Sequence, residues 1–259
     1  VNLLLGGNTI IGTTTANDSG QFSITTPRLA DNTYSLSVTA TDAVGNISES
    51  DALLITVDTE AQGKPSIITT TTLTNNATPT IEGTAGLGST VILYVDGVAR
   101  GEKEVDETTG VYTITPTEAL SDGNHTLTVT ATDAAGNISA ASDALTMTVD
   151  TTAPAQPTIT TTTSLTNSAT PTIEGIAEPG STLTLFVDGE TTGVTTIADG
   201  TTGAYTIAPT AGLSDGNHTV TVTATDAAGN ISTASSELNL TVDTTAPAQP
   251  TITTTTSLT

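Results

Sequence analysis

The chain contains no cysteine and no tryptophan, four tyrosines, two phenylalanines, and four lysines and arginines together in 259 residues. No apolar run approaches the ~20 residues of a membrane-spanning helix, and no signal peptide opens the sequence. Each shortage excludes something. Without cysteine there is neither a disulfide to brace a small fold nor a thiol nucleophile. With so few aromatics, any core must be built from Val, Leu, Ile and Ala, so each folded unit has modest cohesion and calls for added stabilisation. An intramolecular Lys-Asn cross-link is ruled out for residues 151–243, which hold no lysine. The scarcity of basic side chains leaves 27 acidic ones largely unmatched, for a net charge of −23. Nucleic acid and anionic lipid, both of which recruit Lys and Arg, are therefore poor partners. Divalent cations are the natural ones, the plain alternative being a solvating acidic surface.

What is present is repetition. DGNHTVTVTATDAAGNISTASSELNLTVDTTAP at 215–247 returns as DGNHTLTVTATDAAGNISAASDALTMTVDTTAP at 122–154 and, more loosely, as DNTYSLSVTATDAVGNISESDALLITVDTEA at 31–61. The Val-Asp closing each copy falls at Asp58, Asp150 and Asp243, spacings of 92 and 93 residues. That period exceeds the roughly 20–50 residues of solenoids and propeller blades and approaches the ~100 of an immunoglobulin-like sandwich. The expected domains are 1–58, a copy lacking its first two strands; 59–150 and 151–243, two complete copies; and 244–259, the first strand of a further copy. The chain thus reads as a window on a longer array. Residues 59–150 carry 12 acidic and 3 basic side chains and residues 151–243 carry 9 and none, so the charge excess recurs with the repeat.

Alternating apolar residues bounded by Gly, Pro, Asn and Asp predict strands at 158–163, 170–177, 182–188, 193–198, 204–208, 217–226 and 236–243. Seven short strands without a helical period make an all-β, tandem immunoglobulin-like β-sandwich, its copies arranged end to end. The alternation points Val220, Val222 and Ala224 inward, and likewise Leu127, Val129 and Ala131, and Leu36, Val38 and Ala40. The third strand buries Leu183, Leu185 and Val187, or Val91, Leu93 and Val95, and shows Tyr94 or Phe186 on its opposite face. Pro-bearing junctions between copies are stiffer than Gly/Ser tethers.

The strings TPTIEGTAGLGSTVILYVDG (78–97), TPTIEGIAEPGSTLTLFVDG (170–189), TDAAGNIS (132–139 and 225–232) and VDTTAP (149–154 and 242–247) resemble the bacterial Ig-like repeats of very large, type I-secreted surface adhesins. The resemblance covers the whole chain. It implies an extender segment outside the cell, at the bacterial surface, often stiffened by calcium and supporting adhesion and biofilm formation, with neighbouring repeats of the same chain as partners.

In such a sandwich, the loop joining the last two strands faces the end at which the chain enters, and the last strand finishes at the other end. The closing Asp of one copy therefore arrives beside that loop in the next. This groups Asp58 with Asp133 and Asn137, and Asp150 with Asp226, Asn230 and the turn residue Glu178; Asp42, Asn46 and Asp243 hold the corresponding places in the flanking copies. Carboxylates, an amide and turn carbonyls suit Ca2+, which takes 6–8 oxygens. The competing reading is that Asp-Ala-Ala-Gly-Asn is simply a self-bonded turn. Asp122, Asp215, Asp96 and Asp188, each followed by Gly, read as hairpin turns.

His125 and His218 share one strand position without a second His nearby, so zinc or a serine triad is not indicated and no enzyme is expected. Two other functions compete with the extender. In one, the repeats themselves bind carbohydrate or a host receptor; in the other, they are accessory repeats of a secreted polysaccharide-degrading enzyme.

Overall fold

The computed structural model describes residues 1–253, and every regular element is a strand. In the first copy lie β1 (Asn2–Leu5), β2 (Thr9–Thr13), β3 (Asn32–Thr41), β4 (Ile47–Glu49) and β5 (Leu53–Val57). The second holds β6 (Ser66–Ile67), β7 (Leu73–Thr74), β8 (Ile81–Thr84), β9 (Thr90–Val95), β10 (Val98–Glu104), β11 (Val111–Ile114), β12 (Gly123–Thr132) and β13 (Leu145–Val149). The third holds β14 (Thr158–Ile159), β15 (Leu165–Thr166), β16 (Ile173–Ile176), β17 (Thr182–Val187), β18 (Glu190–Ile197), β19 (Ala204–Ile207), β20 (Gly216–Thr225) and β21 (Leu238–Val242). The chain divides into two compact units whose boundary runs through the second copy. One comprises Val1–Thr70, Thr78–Glu118 and Thr126–Thr146, the other Thr71–Ala77, Ala119–His125 and Met147–Thr259.

The third copy shows the plan of the fold. A three-stranded sheet, β14-β16-β19, faces a five-stranded one, β15-β21-β20-β17-β18. All pairings are antiparallel except β15 with β21, which run parallel. Between the sheets lie Ile173, Leu183, Leu185, Ala198, Tyr205, Ile207, Val220, Val222 and Ala224. The expected inward residues of β20 are buried, and those of β17 are too except for the half-buried Val187. The first expected strand, 158–163, divides instead. β14 pairs with β16, and after a run of threonines with no apolar alternation the chain crosses to β21 as β15.

Tyr205 lies across the sandwich, its hydroxyl donating to the Thr158 carbonyl oxygen at 3.0 Å. It can do so because position 175 is glycine: a Cβ there would collide with the Tyr205 hydroxyl and the Thr158 oxygen. Tyr112, Ser66 and Gly83 repeat the arrangement in the second copy, with Tyr112 donating to the Ser66 oxygen at 2.7 Å. Burial pushes both phenols up to about 12. These tyrosines are core members that the Val/Leu/Ile/Ala inventory omitted.

In the other unit, β9 pairs with β10 and β12, and β8 with β6 and β11. Val91, Leu93, Val95, Leu127, Val129 and Ala131 are buried there as expected. The first copy forms a single sheet of β1 to β5. Leu36 is buried, but Val38 is half-buried and Ala40 exposed, contrary to expectation. Among the described residues of 1–58 no second sheet closes over that face. At 244–259, residues 254–259 lie outside the described residues, and 244–253 carry no strand. Short β14-type strands exist only by pairing with a neighbour such as β16, and Thr251 and Ile252 have none among the described residues.

Candidate functional site

The loop following β20 is built by one carboxylate. Asp226 Oδ1 accepts from the amides of Gly229 (2.7 Å) and Asn230 (2.8 Å), and Oδ2 accepts from Asn230 Nδ2 (2.8 Å). Gly229 closes the turn at φ +96, a conformation that only glycine adopts cheaply. Asp133 with Asn137, and Asp42 with Asn46, reproduce the loop. The hydrogen bonds hold all three aspartates below the usual carboxylate range. For Asp42 and Asp133 the leading cause is the asparagine amide; for Asp226 burial opposes the shift and the Asn230 bonds help outweigh it. The self-bonded turn is therefore present.

The same asparagines also reach outside the turn. Asn230 Nδ2 donates to the backbone oxygen of Asp150 at 2.7 Å, and Asn137 Nδ2 to that of Asp58 at 3.1 Å. Each such joint lies within one compact unit. At the second joint the Asp150 amide donates to the Thr74 oxygen, and Gln156 Nε2 donates to the Ala234 oxygen at 2.5 Å. At the first, Lys64 Nζ pairs with Asp143 at 2.6 Å, and the Gln62 side chain occupies the space beside Gly86 that a Cβ would fill.

The ten candidate residues thus fall into groups. Asp150, Asp226 and Asn230 come together, as do Asp58, Asp133 and Asn137, though the closing aspartates contribute backbone oxygens, their own Oδ1 atoms capping Thr152 and Glu60. Glu178 builds its turn through its carbonyl oxygen, which accepts from Ser181. Asp42 and Asn46 bond to each other, and Asp243 caps Thr245.

The fit to calcium can be judged from the donors. Asp226 Oδ2 and Asp150 O already converge on the Asn230 amide, and turning that amide over would present its oxygen as a third ligand. This is hard-cation chemistry, but it supplies fewer than the 6–8 oxygens calcium takes. Among the described residues no group of three or more His, Cys, Asp or Glu is placed to hold a metal ion. Further backbone carbonyls and water would have to complete the shell.

Sequence reasoning missed the clamp on the other side of each junction. Asp122 accepts from Thr151 N (2.9 Å), Thr151 Oγ1 (2.7 Å) and Thr152 Oγ1 (2.6 Å), and Asp215 grips Thr244 and Thr245 identically in kind. In the first copy Thr59 Oγ1 donates to Asp31 at 2.8 Å. Hydrogen bonds from Thr152 and Thr151, and from Thr244 and Thr245, keep Asp122 and Asp215 ionised below the usual range. The signal was available, because Asp-Gly-Asn and the closing Asp-Thr-Thr recur together in both complete copies.

Residues 1–59, 65–151 and 155–244 each match the bacterial Ig-like domain family, and the chain belongs to that family. It is 33% identical over 258 residues to exoglucanase B of Cellulomonas fimi, an alignment covering 92% of this chain and 22% of that protein. The chain therefore spans about a fifth of that relative's length. Solved structures similar to it include the fibronectin(III)-like modules of Clostridium thermocellum CbhA, at 18% identity and a TM-score of 0.46, covering 69% of this chain and 93% of that one. A 1.5-MDa bacterial ice-binding adhesin is 24% identical with a TM-score of 0.35, covering 82% and 74%. A tetra-tandem repeat from the extending region of a large adhesion protein is 23% identical with a TM-score of 0.33, covering 94% and 66%. No helix among the described residues is long and apolar enough to cross a membrane.

Proposed function

We propose that this chain is a non-catalytic extender segment of a secreted bacterial surface protein, each repeat a module and each junction a cation-responsive joint, supporting adhesion and biofilm formation outside the cell. What carries this reading is the tie from Asn137 and Asn230 to the closing residue of the preceding repeat. A passive tether would leave those residues to water. Calcium at the joint would be held by Asp150, Asp226 and Asn230, and by Asp58, Asp133 and Asn137, and it would offset the repulsion of a chain with net charge −23. The test is thermal melting and small-angle scattering of the whole chain with calcium and with chelator. A higher Tm and a narrower distribution of dimensions in calcium, both reduced in Asp226→Ala and lost when Asp133→Ala is added, support the proposal; identical curves in the two conditions overturn the calcium joint.

A second reading has one observation in its favour. The 33% identity to exoglucanase B suits accessory repeats that space a catalytic domain of a polysaccharide-degrading enzyme. A gene whose flanking sequence encodes a glycosidase domain would establish it, and one encoding only further repeats would dismiss it.

A further inference from the structure

The imidazole of His218 is caught between two groups that can only accept. Nδ1 is 2.8 Å from Asp188 Oδ2, and Nε2 is 3.0 Å from the backbone oxygen of Ser214. A neutral imidazole carries one N–H and must turn a lone pair toward one of these oxygens, whereas the imidazolium donates to both. The side chain of His218 is 11% exposed, and that of Asp188 is 52% exposed.

On β21 the register partner of His218 is Leu240, and the adjoining cleft is lined by Ser164, Leu165, Asn217 and Asn239 beside Asp188. Asp215 is turned toward Thr244 and Thr245. Glu190 begins β18 opposite Val187. Asp188 is thus the titratable group that the ring meets.

We propose that His218 is a proton-dependent staple. Its imidazolium ties the turn between β17 and β18 to the loop ending in Asp215, whose carboxylate grips the following linker at Thr244 and Thr245, so mild acid tightens the root of that linker.

The direction of titration agrees. The hydrogen bond to Asp188, then that to Ser214, raises His218 above the ordinary histidine value despite partial burial, while His218 and then the Thr219 amide lower Asp188. Because the folded value is raised, the stabilisation is complete below the unfolded value near 6.5 and fades as pH climbs through the folded one. The second copy has His125 Nε2 at 2.8 Å from the Ser121 oxygen, and Asp96 shares the left-handed backbone of Asp188, at φ +51 against +53. In the first copy Tyr34 takes the place of His218 and donates its hydroxyl to the Ala30 oxygen at 2.9 Å. There the same loop is held without an imidazole.

The test uses the full chain in chelator, so that cation binding at the joints does not contribute. NMR titration of His218 is combined with hydrogen exchange of the Thr219 and Thr244 amides at pH about 5.5 and about 8.5, on either side of the ordinary histidine value. The expected results are a His218 midpoint above that value and several-fold stronger protection, corrected for intrinsic rates, at the lower pH. His218→Tyr, which installs the residue the first copy uses at this position, should flatten the dependence. A midpoint at or below the ordinary value, or equal protection at both pH values in the unmodified chain, overturns the staple; so does a pH dependence that survives in a folded His218→Tyr protein.

Discussion

Single atoms decide more in this chain than its simple composition suggests. Gly175 is fixed by the tyrosine that crosses it, so Gly175→Ala should cost about 1–3 kcal/mol through overpacking, read as a lower urea midpoint; an unchanged midpoint would mean the ring relocates freely. Buried serines stand in for a missing strand. Ser232 Oγ and Ser235 Oγ accept from the amides of Ala224 (2.9 Å) and Val222 (3.1 Å) in β20. Ser235→Ala would leave the Val222 amide orphaned, at a cost of about 1–3 kcal/mol, whereas Thr→Ala at the exposed Thr163 should move the midpoint negligibly. The aspartate clamps bear on acid stability. Since the folded values of Asp122 and Asp215 are lowered, their contribution is present above the ordinary carboxylate value near 3.9 and is lost as pH falls through the folded values. Exchange of the Thr151 and Thr244 amides should therefore accelerate, relative to intrinsic rates, at the acid end of a titration, as pH falls below ~4.

At the level of elements, the loop after β20 acts as both turn and latch, with Asn230 serving both. Asn230→Ala should leave the sandwich folded, moving Tm by only a few degrees, while broadening the dimensions seen by scattering; a variant that unfolds outright would show the turn role to dominate. The strands were legible because alternation and turn residues are local signals, and β16 to β21 follow them closely. The crossing from β14 to β15 was not, since threonines at 160–163 carry no alternation and the switch of sheet is decided by the open edge of β21. Joint partners were legible by position but not by atom. The repeat spacing brought Asp150 to Asn230, yet that Asp150 offers its backbone oxygen while its side chain caps Thr152 depends on local geometry that composition does not encode. Glu178 shows the converse, because a carboxylate in the right turn makes its structural contribution through its carbonyl oxygen.

For the whole molecule, a net charge of −23 makes every added proton or cation matter. In chelator, raising NaCl from ~0.02 to ~0.5 M should raise Tm by screening repulsion among exposed carboxylates. Calcium at about the same ionic strength should raise it further only if the joints bind it specifically, which separates screening from coordination. One last feature bears on how such a chain carries load. In the third copy the second strand, β15, lies parallel to the leaving strand, β21, through Thr241 N to Ser164 O (2.8 Å) and Asp243 N to Thr166 O (2.9 Å). In the second, β7 and β13 are joined alike, through Thr148 N to Thr72 O (2.7 Å) and Asp150 N to Thr74 O (2.9 Å). Tension applied through the two ends of such a module draws these strands past one another in opposite directions, so their bonds are sheared together rather than unzipped singly, and rupture has to wait until all of them fail at once.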